Sequence, residues 1–142
     1  MTVATILDRK GRDVFTLAPQ TPISQIVDLL CEKKIGVVML AEEGKLCGIL
    51  SERDIVRALA KEGRDVLSQP ASAHMTADVI CCAENETVVS VMERMTAGRF
   101  RHMPVLEGDE LIGLISIGDV VKHRIEQTEK EAADMRAYIA AG

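Results

Sequence analysis

Gly48-Ile49-Leu50-Ser51-Glu52-Arg53-Asp54 and Gly113-Leu114-Ile115-Ser116-Ile117-Gly118-Asp119 stand 65 positions apart and share one pattern: a glycine inside an apolar run, then Ser-x-x-Asp. An apolar run that ends this way reads as a strand passing into a helix. The serine hydroxyl can accept from the backbone N–H three residues on, and the acid then sits in the positive first turn as half of a capping box. One such box is a common helix start. Two in register point to an internal repeat.

Sliding the chain by 65 positions aligns Asp13–Leu59 with Asp78–Arg124 without a gap, and nine of the 47 pairs are identical. Composition alone gives roughly three matches, so the matched pattern carries more weight than the identities. Each copy opens on a short apolar strand, VFTL at 14–17 and VICC at 79–82. A helix follows. In the first copy Thr21 is the expected cap and Pro22 suits the first turn, where its missing N–H costs nothing. Ile23, Ile26, Val27 and Leu30 fall on one helical face, as do Val88, Val91, Met92 and Met95. Two runs then read as a strand pair, IGVVML with LCGIL and HMPVL with LIGLI, joined by EEGK and EGDE turns. A second helix starts at Ser51 and again at Ser116.

The expected fold is therefore α/β (α+β): two tandem β-α-β-β-α repeats related by a pseudo-twofold axis. Three short strands and two helices are too little for a core, so the copies are expected to pack on one another. Repeat 1 with its lead-in spans 1–60, a linker 61–76, repeat 2 77–125 and a C-terminal helix 126–142. The linker holds Gly63 and Pro70 and has room for a short helical turn; the last helical piece, Ile125–Ala141, carries a Met135, Tyr138 and Ile139 stripe.

At 142 residues, with 47% apolar and 27% charged residues, the chain suits one soluble domain. Aromatics are only 2%, so aliphatic residues and Met must form the core. A net charge of −5 argues against nucleic acid or an anionic membrane surface as partner. No apolar stretch is long enough to span a bilayer, and MTVATILDRKGRD lacks the features of an export signal, so a cytoplasmic location is expected. Cys31, Cys47, Cys81 and Cys82 show no CxxC spacing and read as small buried hydrophobes in a reducing compartment.

The duplicated junction has chemical potential beyond capping. A glycine in a strand permits close approach of a ligand or another backbone. An aspartate is an acceptor-only group suited to ribose hydroxyls, and the helix N-terminus beside it offers N–H groups to a phosphate. A nucleoside phosphate matches both halves. GILSERDIVRAL and GLISIGDVVKHRI, with RFRHMPVL between them, resemble the CBS domain, which occurs in pairs as the Bateman module. The resemblance runs from about Val3 to Arg124, and the chain looks most like the stand-alone bacterial CBS-pair proteins.

That resemblance implies a sensor of AMP, ADP, ATP, NAD(H) or S-adenosylmethionine, bound in clefts between the repeats and signalling energy or redox state to a protein effector, commonly as a homodimer. It implies that Asp119 and Asp54 hold ribose with Ser116 and Ser51 nearby, and that adenine lies by Ile115 and the main chain around Thr16. It places Arg101 and His102 where other members contact phosphate. The copies differ: Lys34, Ile35 and Gly36 stand opposite Arg99, Phe100 and Arg101, and Arg53 stands opposite Gly118. The stronger cleft is expected to combine Asp119 with Arg101.

No HxxxH, HExxH or CxxC spacing offers a metal site, and no phosphate-cradling GxxxxGK[ST] loop appears. Ser116 and His123 are seven residues apart, about two helical turns, too far for a nucleophile and its base. The expectation is a binding module with no catalytic cofactor and not an enzyme. The rivals are a dimerisation scaffold with degenerate clefts and a weak nucleotide hydrolase.

Overall fold

The computed structural model describes residues 1–142. Its elements are α1 (Val3–Lys10), β1 (Thr16–Leu17), α2 (Ile23–Lys33), β2 (Val37–Glu42), β3 (Lys45–Ser51), α3 (Glu52–Glu62), α4 (Val88–Gly98), β4 (His102–Glu107), β5 (Glu110–Ser116) and α5 (Ile117–Ala141). Two 3-10 turns, Arg64–Ser68 and Ala71–Ala73, occupy the linker. The sheet runs β1-β2-β3-β5-β4, nearly a palindrome about the β3–β5 contact, which is a single antiparallel pair, Lys45 with Glu110. The hairpins β2–β3 and β4–β5 pair in matching registers, Val37 to Ser51 and His102 to Ser116. The fold is a mixed α/β pair of tandem repeats.

The cores differ from the expectation. Each repeat has its own, completed by a segment from elsewhere in the chain. Val3, Ile6 and Leu7 of α1 are buried with Val91, Met95, Met103, Ile115 and Val120 of the second repeat. Val66 and Ala71 of the linker are buried with Ile23, Ile26, Leu40, Leu50 and Ile55 of the first. Each lead-in also satisfies a helix start. The first N–H of α4, from Val88, donates to the Met1 carbonyl at 3.1 Å, and that of α2, from Ile23, donates to the Gln69 carbonyl at 3.0 Å. Because Gln69 supplies that bond, Pro22 and not Thr21 is the cap residue of α2, and no side chain caps it. The Thr21 carbonyl instead accepts from Ala71.

The strand glycines make room for these lead-ins. A Cβ on Gly48 would stand 2.5 Å from Met75 Sδ and 2.9 Å from the Thr76 carbonyl, and one on Gly113 would stand 2.8 Å from a Leu7 methyl. Their close neighbours are the chain itself, one of the two options that a strand glycine leaves open.

VICC does not form a strand; only Cys82 bridges Val105. The reason is Pro104. In the first repeat the Met39 N–H donates to the Phe15 carbonyl at 3.2 Å and extends the β1–β2 ladder. Pro104 is the counterpart of Met39 and has no N–H, so the same bond to Ile80 cannot form. The last helical piece is not separate either: with no Gly or Pro between Val120 and Ala141, α5 runs unbroken for 25 residues. All four cysteines are free, but only Cys82 is buried as expected; Cys31 is exposed and Cys47 and Cys81 are half-buried. Burial, followed by the nearby Glu86, pushes the Cys82 thiol up to about 12.

His123 is 4% exposed, and neither ring nitrogen has a hydrogen-bond partner. Burial first, then the neighbouring Arg9, holds its pKa below the ordinary 6.5, against the opposing pull of Glu126. The unfolded imidazole takes a proton below about pH 6.5 and the buried one does not, so stability must fall as pH drops through that value. One such group contributes a slope of at most about 1.4 kcal/mol per pH unit. Urea midpoints measured from pH 7.5 to 5.5 should fall more steeply for the native chain than for His123→Leu. Equal slopes would place the proton uptake elsewhere.

Candidate functional site

The two Ser-x-x-Asp junctions fold as complete capping boxes. At the start of α3 the Ser51 N–H and hydroxyl both donate to Asp54 Oδ2 at 2.9 Å, and the Asp54 N–H donates to Ser51 Oγ at 3.2 Å. At the start of α5 the Ser116 N–H donates to Asp119 Oδ2 at 2.8 Å, and the Asp119 N–H donates to Ser116 Oγ at 3.1 Å. The cap therefore engages one oxygen of each carboxylate and orients the other. Oδ1 of Asp54 and Oδ1 of Asp119 carry no hydrogen bond within the protein.

A cleft of about 410 Å³ opens over the Asp54 junction. Ser51, Glu52, Arg53, Asp54 and Arg57 form one wall, with Ile49 of β3 beside them. Thr76, Asp78, Val79 and Ile80 descend from the linker on the other side. Arg99, Phe100, Arg101 and His102 close the end. Arg99 follows α4 in the left-handed conformation, φ 56°, as Lys34 does after α2 at φ 54°. None of Arg53, Arg57, Arg99 and Arg101 lies within ion-pair distance of a carboxylate. These four guanidinium groups share the cleft with the Glu52, Asp54 and Asp78 carboxylates, and each can present a planar fork to a phosphate. At the start of α3 the Glu52 N–H is taken by the Gly36 carbonyl and the Asp54 N–H by Ser51 Oγ.

Main-chain groups add directionality. The Ile49 N–H and carbonyl are paired with Thr76 at 3.0 and 2.9 Å. The Ile80 carbonyl, deprived of its ladder partner by Pro104, makes no hydrogen bond within the protein and borders the cleft.

The second junction is arranged differently. Lys10, at the end of α1, donates to Asp119 Oδ2 at 2.7 Å and to the Leu114 carbonyl at 3.0 Å. Leu114 is the counterpart of Ile49, so the lysine takes the carbonyl that the linker backbone takes in the first repeat. Burial pushes the Asp119 carboxyl up, but the Lys10 ammonium and the Ser116 donors outweigh it and hold the pKa below the ordinary carboxylate value. His102 stands between the two junctions. Burial first, then Lys10 and Arg101, keeps its pKa below the usual 6.5 despite the pull of Asp119, so the imidazole is neutral at pH 7.

The structure thus brings Ser51, Arg53, Asp54, Arg101 and His102 into one cleft and leaves Ser116 and Asp119 outside it. The expected pairing of Asp119 with Arg101 is not observed: Arg101 lines the Asp54 cleft and Lys10 holds Asp119. Ile115 cannot meet a ligand. It is fully buried in the second core, because β5 alternates and turns its neighbours Leu114 and Ser116 to the other face. Thr16 is also displaced. It pairs with Met39 and lines a shallow depression with Val14, Glu43 and Leu111. Arg57, Arg99 and the 78–80 segment were not anticipated as site residues. Arg57 lies one turn after Asp54 on the same helix, a spacing that places both on one face.

Comparison with known proteins agrees with this architecture. The CBS domain family matches residues 5–61 and again 71–126. The solved CBS-domain containing protein ATU1752 from Agrobacterium tumefaciens is 47% identical, with a TM-score of 0.84 over 87% of this chain and 99% of its own. The CBS domain protein PAE2072 from Pyrobaculum aerophilum, solved with AMP, is 25% identical, with a TM-score of 0.75 over 84% of this chain and 89% of its own. The CBS domain pair of MJ0100, solved with 5′-methylthioadenosine and S-adenosyl-L-methionine, is also 25% identical, with a TM-score of 0.76 over 86% of this chain and 98% of its own. Two family matches covering most of the chain, on two repeats that share one sheet, establish that this protein belongs to the CBS domain family and carries a tandem CBS pair.

Proposed function

We propose that the chain is a regulatory module that binds one adenine nucleotide in the Asp54 cleft. The observation that carries this reading is the set of four arginines without ion-pair partners that line one cleft with an oriented carboxylate. Asp54 Oδ1 accepts from the ribose, the phosphates meet Arg53, Arg57, Arg99 and Arg101, and the Ile80 carbonyl accepts from the adenine amino group. A neighbour's binding of AMP supports the ligand class. Methylthioadenosine, a ligand of another neighbour, carries no anionic group, and S-adenosylmethionine offers one carboxylate beside a cationic sulfonium and ammonium, so neither matches four guanidinium groups as a phosphate does. AMP, ADP, ATP and NAD(H) all carry the required group.

The nucleotide acts as a signal, with no chemical step required of the protein. Its bridging of α3 to the 78–80 and 99–102 segments links the repeats, and a protein effector or a second copy of the chain reads the resulting orientation. Such a switch requires the ligand to bind one arrangement more tightly than the other. The Asp119 junction is a weaker site in this reading. Lys10 pairs with Asp119 Oδ2 and takes the Leu114 carbonyl, and Gly36 and Gly118 stand where the first cleft has Arg101 and Arg53. No helix is long and apolar enough to cross a membrane.

Thermal shift separates the readings. AMP at 100 times its Kd should add about 2.7 kcal/mol of stability. No shift with any adenine nucleotide would favour the scaffold, and metal-dependent turnover would favour the hydrolase. By titration calorimetry Asp54→Ala should weaken AMP binding by roughly 10- to 100-fold, the usual cost of a lost charge-assisted hydrogen bond. Asp119→Ala should retain near-native affinity, and the opposite ranking would move the site to the second junction. In the same assay Lys10→Ala should raise the stoichiometry from one nucleotide towards two. A native chain that already binds two with equal affinity would contradict the self-occupied second junction.

A further inference from the structure

Helix α5 is far longer than its counterpart. α3 has 11 residues and α5 has 25, and from Thr128 to the end of the chain every residue of the extension is exposed. Val120 and His123 fasten the first turns to the second core, and the Arg9–Glu126 ion pair is the last side-chain tie to α1. Beyond that point the helix has no packing of its own, and an isolated helical segment this short is marginal in water.

The extension carries a regular apolar seam. Val121, Ile125, Thr128, Ala132, Met135 and Ile139 follow one another at alternating intervals of four and three residues. This is the a/d spacing of a coiled coil. Val121, Ile125, Met135 and Ile139 are 48–68% exposed. At about 100° per residue the seam lies roughly 130° around the helix from the Val120–His123 face, so packing against the protein's own core leaves it open.

The charges beside the seam indicate its occupant. With Ile125, Ala132 and Ile139 at a positions, Arg124 and Glu131 fall at g, and Glu129 and Arg136 fall at e. A parallel pair of identical helices brings each g residue to the e residue five places on in the other copy. That matches Arg124 with Glu129 and Glu131 with Arg136, both attractive. An antiparallel pair would set Glu129 near Glu129 and Glu131 near Glu131. None of these four side chains has an ion-pair partner within the protomer, and all four are exposed.

We infer that the C-terminal half of α5 forms a parallel, in-register two-stranded coiled coil with a second copy of this chain. Thr128 and Ala132 make the apolar seam thin, so the flanking ion pairs set its partner and direction, and the association is salt-sensitive. The inference stands apart from the nucleotide cleft, whose residues it does not involve.

Charge reversal tests it. Arg124→Glu with Arg136→Glu places only acids beside the seam, and Glu129→Arg with Glu131→Arg places only bases. By sedimentation equilibrium each variant alone should dimerise about tenfold or more weakly than the native chain, and an equimolar mixture should recover near-native association. In a Cys31→Ser background, Ile139→Cys should give a disulfide-linked dimer, because parallel helices bring the two thiols together and antiparallel ones hold them far apart. Unaltered self-association of either variant, failure of the mixture to recover, a monomeric native chain at micromolar concentration, or no cross-link would each overturn the proposal.

Discussion

The exchange of lead-in segments between the repeats is the packing on which the rest of the structure depends. Val3, Ile6 and Leu7 leave the start of the chain to close the second core, while Val66 and Ala71 leave the linker to close the first. Burial of each large aliphatic side chain contributes about 1.5–3 kcal/mol, so each repeat draws part of its stability from the segment it receives. The exchange also places the functional residues. It carries Lys10 to Asp119, and it carries Thr76 to Ile49 so that Asp78, Val79 and Ile80 descend beside Asp54. Gly48 and Gly113 are fixed by this arrangement, because any side chain there would meet the incoming segment.

Two clefts built on one plan become different through a few substitutions. Lys10 stands where the linker has Met75, Pro104 where the first repeat has Met39, and Arg53 and Arg101 where their counterparts are glycines. The Lys10–Asp119 pair is partly solvated, with the two side chains 36% and 24% exposed. It contributes on the order of 1 kcal/mol or less, so it acts by neutralising the carboxylate and engaging the Leu114 carbonyl more than by stabilising the fold. Pro104 subtracts a ladder bond and leaves the Ile80 carbonyl available at the open cleft. One cleft is thereby tied to the chain's own lysine and the other is lined with unpaired arginines.

Much of this was legible in the residues alone. The 65-residue repeat, both hairpins, both capping boxes and a helical turn in the linker follow from spacing and turn chemistry that local structure obeys. The apolar run VICC reads as a strand and is not one; the signal against it is Pro104, because a residue without an N–H cannot extend a ladder. Other features depend on contacts far apart in sequence. Nothing local tells Val3, Ile6 and Leu7 to pack against the second repeat and not the first, and nothing local puts Arg101 across from Asp54. Ile115 failed by one residue: strand parity, read outward from Ser116, selects Leu114 for the exposed face. Thr21 failed because the linker carbonyl of Gln69 competes for the same helix start.

The central claim, that the nucleotide sits at Asp54 and not at Asp119, is tested most directly by amide chemical-shift mapping during titration with AMP. Ile49, Ser51–Arg57, Asp78–Ile80 and Arg99–His102 should move together with one affinity, while Gly11–Val14 and Ile117–Asp119 stay near their starting positions. Shifts centred on Ile117–Asp119, with the Ser51–Arg57 amides unmoved, would contradict it.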